Sequence, residues 1–367
     1  MPSEARRAFS EDGANKTHIG GQALIEGVMM RGKLGWAAAV REPSGGIYVE
    51  EHPLSKKGER PAWMRLPLVR GCVALVDSLA LGFKALEVAA SHAYDEEGET
   101  FESLQGRPRG TGKGNLASEN PEPNESLTGV SDGAGPKREE ASTSSGESFF
   151  GKAEMLISVV LGVGLGVGLF ILLPALVSNL LVGDYDVNPF VWNVIDGVLR
   201  VTIFIAYIWL ISLLPDIKRM FSYHGAEHKT IHCFEHGLPL TPENARQFPR
   251  LHVRCGTAFM VMVMVLAILV YTVVPVDQLI YAWGVTDSAA KFLLVVLVRI
   301  ALMPVIAGIT YEVTVRWAGS NPDNPVVRIV LWPGMQMQRL TTNEPDDGML
   351  ECAIAAMRTV LAQEEEK

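Results

Sequence analysis

Cysteine is scarce in this 367-residue chain: Cys72, Cys233, Cys255 and Cys352 are the only four. They are too few and too scattered for a secreted disulfide framework, so a reducing compartment is expected. Charge is also sparse, at 20% of residues against 48% apolar, which excludes a wholly disordered or collagen-like chain. The N-terminal segment MPSEARRAFSEDGANKTH lacks the apolar stretch and small-residue cleavage site of a secretory signal, so internal segments are expected to direct any membrane insertion. Basic residues show no excess either. The formal charge is −9, and residues 95–147 alone carry 12 acids against 5 bases. The acidity is therefore local, and no nucleic-acid partner is expected from it.

What the chain does have is long apolar runs. Met155 to Val182 contains no charged residue; at about 1.5 Å per residue it outspans the roughly 30 Å hydrocarbon core of a bilayer. Gly162, Gly164, Gly166 and Gly168 within it suggest close helix packing. A second span is expected from about Phe190 to Leu214, interrupted by Asp196 and Arg200. A third runs from Cys255 to Val276, and a fourth from Phe292 to Val315 with Arg299 and Glu312. Four spans leave both termini on one side. The connection after the first span has no Lys or Arg, whereas the one after the second holds Lys218, Arg219, Lys229, Arg246, Arg250 and Arg254. The positive-inside rule then places the second connection and both termini in the cytoplasm.

The expected organisation is a tail (1–17), a small cytoplasmic α+β unit (18–93) and a disordered linker (94–150) rich in Glu, Gly, Ser and Pro. Transmembrane helices 1 and 2 (151–215), a His-rich cytoplasmic loop (216–254), transmembrane helices 3 and 4 (255–318) and a cytoplasmic C-terminal segment (319–367) follow. Within the α+β unit, Gly35 to Val40 and Gly46 to Glu51 flank Arg41-Glu42-Pro43-Ser44-Gly45, a hairpin pattern. Arg70, Asp77, Lys84 and Ser91 recur every seven residues in an otherwise apolar stretch, a helix with one narrow polar stripe that is either core or membrane-surface. Leu350, Ile354, Met357 and Leu361, preceded by Pro345, Asp346 and Asp347, mark a capped amphipathic helix that docks on something. Asp196 and Arg200 share a helix face, and Arg299 lies at similar depth; a structural ion pair between spans two and four and an ion path are both open.

The chemistry concentrates in the His-rich loop. Five of the chain's 8 histidines are His224, His228, His232, His236 and His252. His224-Gly225-Ala226-Glu227-His228 matches H-x-x-E-H, the inverted zinc motif. Residues i and i+4 share a helix face, so both imidazoles can take corners of a tetrahedral ion while Glu227 stands near as general base. A third ligand is needed. Glu235, His252 and Cys255 lie in the same loop and Glu312 reaches the same membrane face; His252 and Glu235 are favoured. A divalent ion, zinc foremost, is the expected cofactor. The competing reading is membrane-surface histidines pairing with headgroups and neighbouring acids, with no metal. Separately, Gly20 to Gly32 has neither phosphate-loop spacing; its glycines suggest tight turns round a buried strand, with Glu26 and Arg31 as ion-pair or active-site members.

These segments resemble the YqhQ-like family, a bacterial group with a domain of unknown function. The resemblance rests on GGQALIEGVMMRG (20–32), PLVRGCVALVDSLALGFKAL (67–86), YHGAEHKTIHCFEHGLPLTPENARQFPRLHVRCGT (223–257), ITYE (309–312) and LTTNEPDDGMLECAIAAM (340–357). It implies a metal-dependent enzyme of the bacterial inner membrane, and points at His224, Glu227, His228, Glu235, Asn244, His252, Arg254, Cys255, Glu26 and Arg31. Val253 and Lys33 stand where the family pattern has proline, which touches backbone expectations and no ligand. The leading expectation is metal-assisted hydrolysis at the cytoplasmic membrane face, on a lipid or membrane-protein substrate. A metal- or ion-handling membrane protein and an assembly factor with a structural metal remain alternatives.

Overall fold

The computed structural model describes residues 18–54, 61–94, 152–183, 188–253, 255–274, 276, 280, 283–285, 287–318 and 324–365. The tail 1–17, all but Tyr94 of the expected linker 94–150, and Arg254 lie outside the described residues.

The N-terminal unit is a four-stranded antiparallel meander, β1 (Gly20–Leu24), β2 (Gly27–Arg31), β3 (Gly35–Arg41) and β4 (Ile47–Pro53), in spatial order 1-2-3-4. The expected hairpin is β3–β4, with Ala38 opposite Glu50. Strands β2 and β3 are apolar on both faces because both are covered. Val28, Met30, Ala37 and Ala39 point to one side, and Met29, Trp36, Ala38 and Val40 to the other. Helix α1 (Val69–His92) covers the second side through Leu81, Ala85 and Ala89. Its opposite flank leaves Leu75, Val76, Leu79 and Phe83 exposed. The first side packs on the C-terminal helix, α10 (Asp347–Glu365), whose buried row includes Leu350, Ala353, Met357 and Val360. The Asp346 carboxylate accepts from the Met349 N–H at the start of that helix, the capped amphipathic helix anticipated from the sequence.

Between these lie the apolar helices. Helices α2 (Lys152–Val167) and α3 (Leu173–Val182) are joined by a π-helical turn, Gly168–Leu172. Helix α4 (Pro189–Ile211) packs on α3, and α8 (Ser288–Tyr311) continues into a second π-helical stretch, Glu312–Ala318. Among the described residues three stretches are long and apolar enough to cross a membrane: Ile157–Val182, Phe190–Ile211 and Leu293–Ala318. The third expected span forms α7 (Gly256–Val273), whose apolar core Phe259–Tyr271 is shorter. Membrane association follows from the three long helices.

Inside this helical part, Asp196 Oδ2 accepts from Arg200 Nη2 at 2.9 Å and from Arg299 Nη1 at 3.2 Å. Arg299 Nη2 also donates to Asn193 Oδ1, and its guanidinium lies over the rings of Trp192 and Tyr271. The charges thus join α4 to α8, as an ion pair between spans would. Outside the apolar part, Pro215 begins α5 (Pro215–Glu235), which carries the H-x-x-E-H motif. A short helix α6 (Pro242–Arg246), capped by Thr241, follows. One further helix, α9 (Pro325–Thr341), had no counterpart in the sequence reading; it packs against α7 and ends beside α5.

Candidate metal centre

Helix α5 is buried along almost its whole second half, from Tyr223 to Cys233, although that half is rich in His, Lys and Glu. Strand β1, α10 and the returning loop 247–253 enclose it. Two of its residues tie it to the sheet through three hydrogen bonds. The Arg219 guanidinium grips Glu26 through Nε and Nη2, each at 2.6 Å, and the Tyr223 hydroxyl donates to the same carboxylate. Glu26 occupies the β1–β2 turn at φ +50°, a left-handed conformation that a non-glycine residue holds only where neighbours fix it. Glu26 is therefore an anchor for α5.

His224, His228 and Cys255 each bring a ligand atom within 4.8 Å of the others. His224 Nδ1 donates to the Thr341 carbonyl at 2.8 Å, which turns Nε2 towards Cys255 Sγ at 3.2 Å. His228 Nδ1 donates in the same way to the Arg250 carbonyl at 2.6 Å, and its buried Nε2 has no hydrogen-bond partner. Backbone carbonyls on the outer imidazole nitrogens fix tautomer and ring plane, the arrangement that orients metal-ligating histidines. Cys255 is half-buried, at the end of α7 that meets α5 and ahead of the apolar stretch. Burial pushes its thiol up, but the charges of His224 and His228 and the hydrogen bond with His224 outweigh that and hold it well below the usual thiol range. The thiolate is the ligating form. Burial likewise pulls His224 down, and the Cys255 thiolate, Glu227 and the Thr341 carbonyl overcome it, leaving it raised to about 9.

Glu227 lies between the two histidines in sequence and is buried. Burial raises its carboxyl, opposed by His224 and His228 and by the Gly21 N–H bonded to it. Its Oε2 has no hydrogen-bond partner. Gly21 lies far outside the H-x-x-E-H motif, yet its backbone faces this carboxylate: a Cβ there would stand 2.8 Å from Glu227 Cδ and 2.7 Å from the Met29 oxygen. Only glycine lets β1 come so close.

The remaining expected ligands form no part of that triad, although the His252 ring lies 5.5 Å from the His228 ring. His252 and Glu235 gather with His232, again within 4.8 Å, as a separate and fully buried group. Asn244 donates to the Pro239 carbonyl and supports the turn before α6. Glu312 pairs with Arg70 Nε at 2.6 Å and with Nη2 of the same residue, joining the last apolar helix to α1. Arg31 ends β2, opposite Gly20 and Trp36. The structure thus brings together His224, Glu227, His228 and Cys255. It places His252 and Glu235 beside them; Glu26 anchors α5, Asn244 holds the turn before α6, Glu312 pairs with Arg70 of α1, and Arg31 ends β2.

No solved structure matches the chain. A relative described as "Uncharacterized protein YqhQ", from Bacillus subtilis (strain 168), is 30% identical over 345 residues, which cover 94% of this chain and 92% of the relative. The family model described as "Protein of unknown function (DUF1385)" matches residues 66–363, from the helix before the apolar segments to the end of α10. Neither description names an activity, so any chemistry has to be argued from the site. On the length of both matches, the chain belongs to the DUF1385 family.

Proposed function

We propose that the chain is a metal-dependent hydrolase working at the cytoplasmic face of a bacterial inner membrane. One observation supports this above the others: a buried carboxylate, Glu227, has an oxygen without a hydrogen-bond partner beside two backbone-oriented histidines and a cysteine that converge within 4.8 Å. The donor set of two imidazoles and a thiolate suits zinc or a similar borderline ion, and three protein ligands leave the open position of a catalytic site. A divalent ion held there would supply Lewis acidity to a bound carbonyl or phosphoryl oxygen.

The chain's own groups do the rest. His224 and His228 would offer Nε2 to such an ion, and Cys255 its sulfur. Glu227 Oε2 accepts the proton of the attacking water and returns it to the leaving group. The Gly21 N–H holds the carboxylate in place for both transfers. Exposed Leu75, Val76, Leu79 and Phe83 on α1, with the apolar helices beside it, suit a site at the bilayer surface that meets lipid headgroups or membrane-protein segments. Four spans, with α7 crossing alongside the three longer helices, would keep the Lys- and Arg-bearing site connection cytoplasmic.

The test is a Glu227→Gln variant of detergent-purified, metal-loaded protein, assayed on vesicles of phosphatidylethanolamine and phosphatidylglycerol and on an embedded peptide. The expected result is full metal content with turnover lowered by at least about 100-fold, the range a general base contributes. Turnover retained by the variant removes Glu227 as base. No metal in the wild type, after loading with zinc, manganese or iron, removes the mechanism.

A further inference from the structure

Helix geometry forbids the five clustered histidines from acting as one site. His224 and His232 are eight residues apart on α5, about 12 Å along its axis, whereas bonds to a single ion are about 2.0–2.1 Å for imidazole nitrogen. The structure resolves the excess into a second group. His232, Glu235 and His252 each bring a ligand atom within 4.8 Å of the others, and they share no residue with His224, His228 and Cys255. We propose that this second triad is a metal site in its own right, buried away from solvent, and that it holds the loop that carries Cys255 to the first site.

Ligand chemistry supports it. Two imidazoles and a carboxylate form a familiar donor set for zinc. His252 Nε2 stands 3.8 Å from Glu235 Oε2. Two ligands of one tetrahedral ion with bonds near 2.0 Å are about 3.3 Å apart, so a small adjustment brings both onto the same ion. A direct hydrogen bond would need closer approach. All three residues are sealed from solvent, Glu235 and His232 completely. Burial of all three shuts an ion there off from substrate, in contrast to the half-buried Cys255 of the first group.

The outer contacts are those of oriented ligands. His232 Nε2 donates to the Leu251 carbonyl at 3.0 Å, which sets the plane of its ring. The His252 peptide is held at both ends by Gln338 of α9: Oε1 accepts from its N–H and Nε2 donates to its carbonyl, each at 2.8 Å. Three consecutive residues of the loop therefore dock on α5: Arg250 at His228, Leu251 at His232 and His252 beside Glu235. Cys255 follows three residues later. An ion at the second triad would fix that approach, so it would position a ligand of the first site without joining the chemistry. The inference extends the metal reading above and uses none of its ligands, so each can fail alone.

Cobalt(II) loading of the full chain in detergent separates the two sites, because only the first offers a thiolate. The wild type is expected to take up two equivalents, with a thiolate-to-cobalt charge-transfer band in the near ultraviolet and visible d–d absorption. Cys255→Ala should lose the charge-transfer band and keep the d–d absorption of the second ion. Glu235→Gln and His232→Asn should each keep the charge-transfer band and drop to one equivalent. Uptake of a single equivalent, undiminished in both of those variants, overturns the second site and leaves the proposed hydrolase standing. An ion lost in Glu235→Gln with no thiolate band in the wild type would do the reverse, supporting this site and ending the hydrolase reading. Should the second-triad variants not fold, removal of cobalt from the wild type by chelator decides: two phases are expected, the charge-transfer band vanishing in the faster. Loss in one phase overturns the inference.

Discussion

At the scale of single residues, the site depends on a position with no side chain. The β1 backbone at Gly21 meets the Glu227 carboxylate and the Met29 carbonyl so closely that a methyl group has no room. Gly21→Ala should therefore displace either β1 or Glu227. Under the proposed mechanism, turnover is expected to fall on the order of tenfold, about 1.4 kcal/mol of barrier, while metal content is unchanged. An undiminished rate would show that the contact does not position the base. The H-x-x-E-H motif made His224, Glu227 and His228 legible because helical spacing alone puts them together. The choice among Cys255, His252 and Glu235 was not legible, since it depends on how far along α5 the returning loop lies. Gly21 was out of reach for the same reason: its partner is remote in sequence. Glu26 was open between ion pair and active site, and its twofold grip by Arg219 assigns it the first role.

At the scale of elements, α9 matters beyond its size. It supplies the Thr341 carbonyl that orients His224 and the Gln338 amide that clamps His252. Gln338→Leu keeps much of the volume but strands the N–H and carbonyl of a buried peptide. The expected cost is about 2–4 kcal/mol, read as a lowered unfolding midpoint in detergent; an unchanged midpoint would mean that the clamp contributes nothing. This helix escaped the sequence reading, and Pro333-Gly334, which ordinarily marks a break, sits inside it. The β3–β4 hairpin, α1 and α10 were legible because their periodicity is uninterrupted and each packs an apolar face within the core. Gly225 shows how tightly the elements fit: a Cβ there would come 2.1 Å from the Asn343 oxygen, between α9 and α10.

At the scale of the molecule, the apolar helices were legible from run length, and the Asp196, Arg200 and Arg299 cluster from opposite signs at matching depth. Orientation is a separate matter, decided by where the basic residues lie. A green fluorescent protein fused after the C-terminus is expected to fluoresce, and an alkaline phosphatase in the same place to stay inactive. The opposite pattern would turn the site outward and end the cytoplasmic reading.

The distance in sequence between partners sets an order of events during synthesis. Gln363 bonds Glu51 across 312 residues, the Lys33 N–H meets Glu364 across 331, and Arg219 closes on Glu26 across 193. The sheet made first thus cannot cover its face until the last helix has left the ribosome, and contacts of such long range form slowly. The 20–53 sheet waits with that face open through the insertion of the described apolar helices. A ribosome-bound chain stalled before residue 347 should therefore leave the 20–53 sheet open to added protease, and release of the full chain should protect it. Protection already present in the stalled chain would mean that the sheet closes without α10.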